Sequence, residues 1–166
     1  NVPHHENVSY FGSGDDEAQM VYNFALPPLL VHSVLNSNTE TLTKWAKTLT
    51  LPSDKVCFFN FTASHDGIGL RPVKGVLTDE EVQYIGDTVK EHGGLVSYKT
   101  DADGSKSAYE LNCSYIDALT HPSEEDEVRY KRMLLAQTTV LAMPGVPGVY
   151  FHSLVGSRNY HDGVKH

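Results

Sequence analysis

Two cysteines, one tryptophan and three methionines are all that this 166-residue chain carries of those types. Cys57 sits in an apolar run and Cys113 in a polar stretch, with no CxxC pair and no Cys/His zinc spacing. The sequence therefore predicts no metal; His4-His5-Glu6 and the pair His161 and His166 lack a supporting third ligand. Two unmatched thiols fit a reducing, cytoplasmic setting. No apolar run approaches the roughly 20 residues of a membrane helix, and no signal peptide opens the chain. The first residue is Asn1 rather than methionine, from which a truncated or processed polypeptide is expected. Positive charge is also scarce: 13 basic residues against 21 acidic give a net charge of −8, and the basic ones form no stripe. Nucleic acid and membrane are thereby set aside as partners. A local cationic pocket for an anion stays open. The triplets at Asn7, Asn60 and Asn112 have the glycosylation spacing, but Asn60 falls inside a predicted buried strand, so all three read as chance.

What is present is a soluble-protein composition, 40% hydrophobic and 20% charged, enough for one domain with a core. Residues 1–18 read as a loop, and residues 19–26 as a strand. Pro27 and Pro28 suit a helix start, where missing N–H groups cost little; Leu29, Leu30, Val31, Val34 and Leu35 give it an apolar face. After the break at Asn36-Ser37-Asn38, Thr39 caps a second helix to about Thr48. Residues 56–63, VCFFNFTA, are apolar on both faces, as in a parallel sheet. A helix capped at Thr78 or Asp79 runs to Glu91 and stops at His92-Gly93-Gly94. Residues 95–113 are mixed, with a turn at 101–104, and a short helix follows over 114–119. A long helix covers 124–143, its buried side marked by Val128, Met133, Leu134, Leu135, Thr138 and Leu141. A short strand is predicted at Val149-Tyr150-Phe151, and polar loop from Gly156. This alternation is an α/β pattern. About three strands are too few to close a sheet, so part of a barrel is expected, with 67–110 a long strand-to-helix excursion rather than a linker. Trp45, Phe58, Phe59 and Phe61 are expected in the core.

Chemistry concentrates in FTASHDGIGLRP, residues 61–72. A buried strand delivers His65 and Asp66 at its C-terminal end, the edge that carries active sites in eight-stranded α/β barrels. Imidazole and carboxylate there can hold neighbouring sugar hydroxyls, and a carboxylate can stabilise positive charge on a reacting ring. Taken alone, the pair also fits a turn in which Asp66 caps a loop and His65 packs. Residues 143–154, MPGVPGVYFHSL, say only that a helix ends, a Gly/Pro turn follows and a strand begins; His152 can face the mouth or pack.

Five segments occur in one order: NVPHHENVSYFG (1–12), FALPPLL (24–30), SHDGIGLRP (64–72), YELNCSYIDAL (109–119) and GVPGVYFHSLVGSRN (145–159). Together they resemble the sucrose phosphorylase branch of the α-amylase superfamily over essentially the whole chain, with wording closest to the glucosylglycerate phosphorylases. The resemblance implies a fragment of a (β/α)8 TIM barrel, roughly the sixth to eighth strands with a long loop after the seventh. It implies that residues 1–166 form the C-terminal part of the catalytic barrel. Retaining α-glucosyl transfer to phosphate would give α-glucose 1-phosphate, with no cofactor and with inorganic phosphate as co-substrate. An aspartate nucleophile and a glutamate acid/base precede the His-Asp pair in the family, and His65 and Asp66 match that pair, Asp66 as transition-state stabiliser. Tyr109 matches a tyrosine that meets phosphate, and Glu110 stands where the family has a glutamine. An ionised glutamate donates no hydrogen bond, which points to a different acceptor, with glycerate or fructose both open, unless Glu110 is an ordinary surface loop residue. Arg71 and Lys74 can attract phosphate or a carboxylate, or remain ordinary solvated charges. Asn1 and His4 are candidates for the acceptor side.

Departures from the pattern accompany the match. The acid/base glutamate would fall just before residue 1, the nucleophile further upstream, and a glucose-holding arginine just after residue 166. Neither Glu6 nor Asp15 has a motif that would make it a substitute, so the chain alone is expected to be inactive. An α-glucoside hydrolase or transglucosidase on the same scaffold, and a non-catalytic sugar-binding module, remain alternatives.

Overall fold

In the computed structural model, which describes residues 2–101 and 103–164, the chain runs α1 (His4–Val8), a 3-10 turn (Ser9–Phe11), β1 (Met20–Tyr22), α2 (Leu26–Leu35), α3 (Glu40–Ala46), β2 (Cys57–Phe61), β3 (Ile68–Gly69), a second 3-10 turn (Arg71–Val73), α4 (Asp79–Glu91), β4 (Leu95–Thr100), β5 (Lys106–Asn112), α5 (Tyr115–Ala118), α6 (Asp126–Ala142), β6 (Val146–Gly148), α7 (Phe151–Leu154) and α8 (His161–Val164). Two three-stranded sheets result. One is parallel, ordered β1-β2-β6, with Val21 opposite Phe58 and Asn60 opposite Pro147. The other is antiparallel, ordered β3-β5-β4, and is folded entirely from the excursion that follows β2.

Alternation along β2 sorts its residues to two faces. Phe58 and Asn60 turn toward the helices and are buried. Phe59 and Phe61 join Tyr22 and Phe24 on the other face, with ring centroids 5.2 Å (Tyr22 to Phe59) to 5.9 Å (Phe59 to Phe61) apart. That face carries no helix layer among the described residues, and Tyr22 is 54% exposed. Trp45 and Phe58 are core residues as expected, whereas Phe59 is only half-buried.

Asn60 is the polar centre of the parallel sheet. It is fully buried; its Nδ2 donates to the Pro144 carbonyl at 3.0 Å, and its Oδ1 accepts from Asn23 Nδ2 at 2.9 Å. The strand ends of β1 and β2 are thereby tied to the turn that leads into β6. Truncating Asn60 to alanine leaves these groups unpaired in a dry site, so it is expected to cost about 1–3 kcal/mol. A urea midpoint unchanged from the parent would contradict this.

The excursion packs onto the same core as the barrel layer. Ile85 and Val89 of α4 meet Ile68, Ala108 and Leu111, in one cluster with Leu29, Val31, Ile116, Ala136 and Val140. Its helix begins as the sequence predicts, with Thr78 and Glu81 forming a reciprocal capping box, and ends at Gly93 with φ of +86°. The hairpin β4–β5 lies where the sequence reads only as mixed, because β4 has no buried residue and hence no alternating apolar pattern.

Four further expectations need correction. Residues 1–18 hold α1 and a 3-10 turn rather than loop alone; five helical residues are too few to show a period. The strand near the C-terminus is Val146–Gly148, and Phe151 already belongs to α7. The tail contains α8. On α6 the buried stripe is Arg129, Met133, Ala136 and Val140, while Leu134, Leu135 and Leu141 are exposed. Small Ala136 lets the helix approach closely, and the large aliphatics stand mostly in solvent. Among the described residues no helix is long and apolar enough to cross a membrane.

Candidate functional site

Beyond the C-terminal end of β2 the chain turns sharply through Ser64-His65-Asp66-Gly67. Ser64 Oγ accepts from the Asp66 backbone N–H at 3.1 Å and fixes the turn. Gly67 is required by close approach rather than by φ: a Cβ there would lie 2.6 Å from Glu110 Cγ and 2.8 Å from the Leu111 carbonyl oxygen. The turn is thus pressed against β5, and β3 pairs with β5 immediately afterwards, Gly69 opposite Glu110.

This contact brings Asp66 and Glu110 together in one cleft of about 170 Å³, walled by Phe24, Pro27 and Phe61. Both side chains of the His-Asp pair are open to solvent, His65 at 83% and Asp66 at 73% exposure. His65 Nε2 stands 3.6 Å from Asp66 Oδ2, a pairing of charge that solvent makes weak. The cleft therefore offers directional acceptors on one side and aromatic surface on the other. A hexose, with hydroxyls at its rim and C–H groups on its face, matches that combination. Phe61, expected in the core, is both buried and a wall of the cleft.

Other candidates lie elsewhere. Tyr109, Arg71 and Lys74 line a larger hollow of about 900 Å³ between α4 and the hairpin, together with Lys99, Asp79 and Asp101. The register shift between Ser97 and Tyr98 opposite β5 explains part of this, since Tyr98 pairs with Ala108 and Ser97 with Glu110, leaving Tyr109 as the extra residue of a bulge. His4 packs edge-on to Trp45 at 5.5 Å and against Phe58, and burial holds its pKa below the ordinary imidazole value; it does not line the cleft. Asn1 lies outside the described residues. His152 is exposed on α7 with its Nδ1 2.9 Å from Ser157 Oγ. Glu6 is exposed and Asp15 pairs with Lys55 at 3.3 Å, both apart from the cleft. Among the described residues no cluster of three or more His, Cys, Asp or Glu could hold a metal ion.

Both cysteines are free thiols. Burial, and secondarily the nearby Asp117 charge, push the Cys113 thiol up to about 12. At pH 8 it stays protonated, so alkylation by iodoacetamide is expected to be at least about tenfold slower than for a cysteine of ordinary pKa near 8.5. Peptide mass spectrometry over a labelling time course checks this; labelling at the free-cysteine rate would contradict it.

Sequence reasoning missed a set of buried polar contacts that join the motif segments. Tyr115 Oη donates to the Pro27 carbonyl at 2.8 Å, linking YELNCSYIDAL to FALPPLL; burial raises the Tyr115 pKa well above that of a free phenol. Asp117, 3% exposed, receives Arg158 Nε and, at 2.6 Å, the Asn159 backbone N–H, linking the same segment to GVPGVYFHSLVGSRN. The signal was present only as polar letters inside otherwise apolar motifs.

A parallel β/α layer with a His-Asp turn at its C-terminal edge is the arrangement of a segment of a (β/α)8 barrel. The backbone matches the crystal structure of sucrose 6F-phosphate phosphorylase from Thermoanaerobacter thermosaccharolyticum with a TM-score of 0.80 at 22% identity, over 99% of this chain and 32% of that one. That likeness fixes the fold. In sequence the chain is similar to glucosylglycerate phosphorylases: 49% identical over 165 residues to that of Escherichia coli (strain K12) and 47% over 167 residues to that of Allomeiothermus silvanus, in each case 99% of this chain and 30% of the relative. The sucrose phosphorylase of Streptococcus mutans is 31% identical over 157 residues, 93% of this chain and 30% of the relative. The resemblance read from the five motifs is borne out over the full chain, which spans about 30% of the length of these curated relatives. No protein-family model matches the chain.

Proposed function

We propose that this chain forms part of a retaining glycoside phosphorylase that moves an α-glucosyl unit between a small acceptor and inorganic phosphate, giving α-glucose 1-phosphate. The observation that carries the reading is the open carboxylate of Asp66 in an aromatic-walled cleft at the C-terminal edge of the central parallel strand. There Asp66 stabilises the oxocarbenium-like charge that develops at the anomeric carbon, and His65 holds glucose hydroxyls. The covalent intermediate on an aspartate and proton delivery by a glutamate, as the family resemblance implies, fall to residues that this sequence does not contain.

Glycerate is the favoured acceptor. Identity of 45–49% to the glucosylglycerate phosphorylases, against 28–31% to the sucrose phosphorylases, supports it. Glu110 lines the same cleft, where an ionised carboxylate can accept hydrogen bonds from acceptor hydroxyls. Tyr109 and Arg71 line a hollow apart from the Asp66 cleft and His4 packs on Trp45, so the proposal gives them no part at the reacting centre, and Asn1 lies outside the described residues. No cofactor takes part, the substrates are an α-glucoside and phosphate, neither nucleic acid nor membrane is a partner, and the two free thiols fit the cytoplasm.

The test uses a polypeptide of the relatives' length that carries these residues. Incubated with glucosylglycerate or sucrose, with and without phosphate, it is expected to release glucose 1-phosphate only when phosphate is present, and faster from glucosylglycerate. Free glucose at the same rate in both conditions would assign a hydrolase instead. Absence of any reaction would leave a sugar-binding module.

A further inference from the structure

Asp117 is a buried carboxylate that the proposed chemistry does not use. It sits in α5, just beyond the strand that bears Glu110, with its side chain 4% exposed. A buried carboxylate is costly unless charge and hydrogen bonds compensate it. Here Arg158 Nε meets Oδ1, while Oδ2 accepts from the Asn159 backbone N–H at 2.6 Å and from Ser114 Oγ at 3.0 Å. The clamp is reciprocal: Asn159 Oδ1 accepts from the Ser114 backbone N–H at 2.7 Å. Two residues further on, His161 Nε2 reaches the Gly93 carbonyl at 2.8 Å, and His92 Nδ1 reaches the Asp117 carbonyl at 3.0 Å.

All partners of the carboxylate except Ser114 come from residues 158–159, in the loop that follows β6 and α7. That loop leaves the C-terminal end of a parallel strand, the edge on which Asp66 stands. Ser114 closes the other side, after the β5 strand that presses against Gly67. One carboxylate thus ties the 156–161 loop to the end of β5, the strand whose Glu110 lines the cleft and whose Leu111 and Asn112 press on Gly67.

We propose that Asp117 is a positioning residue: through Arg158, Asn159 and Ser114 it locks the 156–161 loop against the end of β5 and so sets the geometry of the substrate mouth. The proposal rests on the phosphorylase reading. It acts on binding geometry, not on the reacting bond, so its loss raises KM more than it lowers kcat.

The test compares wild type, Asp117→Asn, Arg158→Gln and the double variant in a polypeptide of the relatives' length. Asp117→Asn is expected to raise KM for the α-glucoside at least tenfold with kcat within about threefold of wild type. Arg158→Gln is expected to reproduce this more mildly, and the double variant to be no worse than Asp117→Asn, because both break one clamp. Hydrogen exchange read by NMR supplies a second measurement: the Asn159 amide is expected to exchange at least tenfold faster in Asp117→Asn, with the Phe59 amide unchanged. A KM within twofold of wild type in Asp117→Asn would overturn the proposal. Should that variant not fold, Arg158→Gln decides, its side chain being 44% exposed and its loss tolerable. If wild type shows no phosphorolysis, the functional reading fails; the clamp itself then stands or falls on the Asn159 amide, unchanged exchange overturning it.

Discussion

Asp66→Asn is expected to lower turnover by about 10²–10³-fold in a polypeptide of the relatives' length, the usual loss when a group aimed at developing charge is removed. Asparagine preserves the shape and the hydrogen-bonding carbonyl but removes the negative charge. Glucosyl transfer builds positive charge on the ring only on the way to the transition state, so the loss falls on kcat rather than on KM. Stability is expected to change little, since the carboxylate is 73% exposed and its 3.6 Å pairing with His65 is solvent-screened. Steady-state kinetics beside a denaturation curve separate the two. A loss smaller than tenfold would show that Asp66 is not the stabilising carboxylate.

Gly67→Ala is expected to damage both fold and activity. The added methyl would meet Glu110 Cγ at 2.6 Å and Asn112 Oδ1 at 2.9 Å, side-chain atoms that can shift, but also the Leu111 carbonyl at 2.8 Å, which is backbone in the β3–β5 ladder. Relief requires moving the turn or the strand, at about 1–3 kcal/mol. The turn that moves carries Asp66, and a displacement of about 1 Å at a reacting centre can cost on the order of 10²-fold in rate. Gly75→Ala is the control: its φ of +82° makes alanine strained, yet nothing lies within 4 Å of the added carbon, so stability falls modestly and turnover holds. Equal turnover in the two variants would contradict the account of Gly67.

The sequence made some of this legible because local rules governed it. The Thr78 cap, the Gly93 stop, the proline-led start of α2 and the doubly apolar β2 each depend on a few adjacent residues. What escaped depends on contacts distant in the chain. Strand β4 is exposed along most of its length and exists through pairing with β5, so no periodicity announces it. On α6 the burial of Arg129 and Ala136 in place of Leu134 and Leu135 reflects which neighbours the helix meets, not which residues are largest. At the site, Asp66 stood out because a strand pattern and a turn marked its position. Its companionship with Glu110, and the separation of both from Tyr109 and Arg71, follow from the β5 bulge and the squeeze at Gly67, neither of which local spacing encodes.

A crystal structure of the relatives'-length polypeptide with glucose bound tests the central claim most directly. The account predicts the sugar in the cleft bounded by Phe24, Phe61 and Glu110, with an Asp66 carboxylate oxygen within about 3 Å of a ring hydroxyl. Glucose bound elsewhere, with Asp66 facing only solvent, would contradict it.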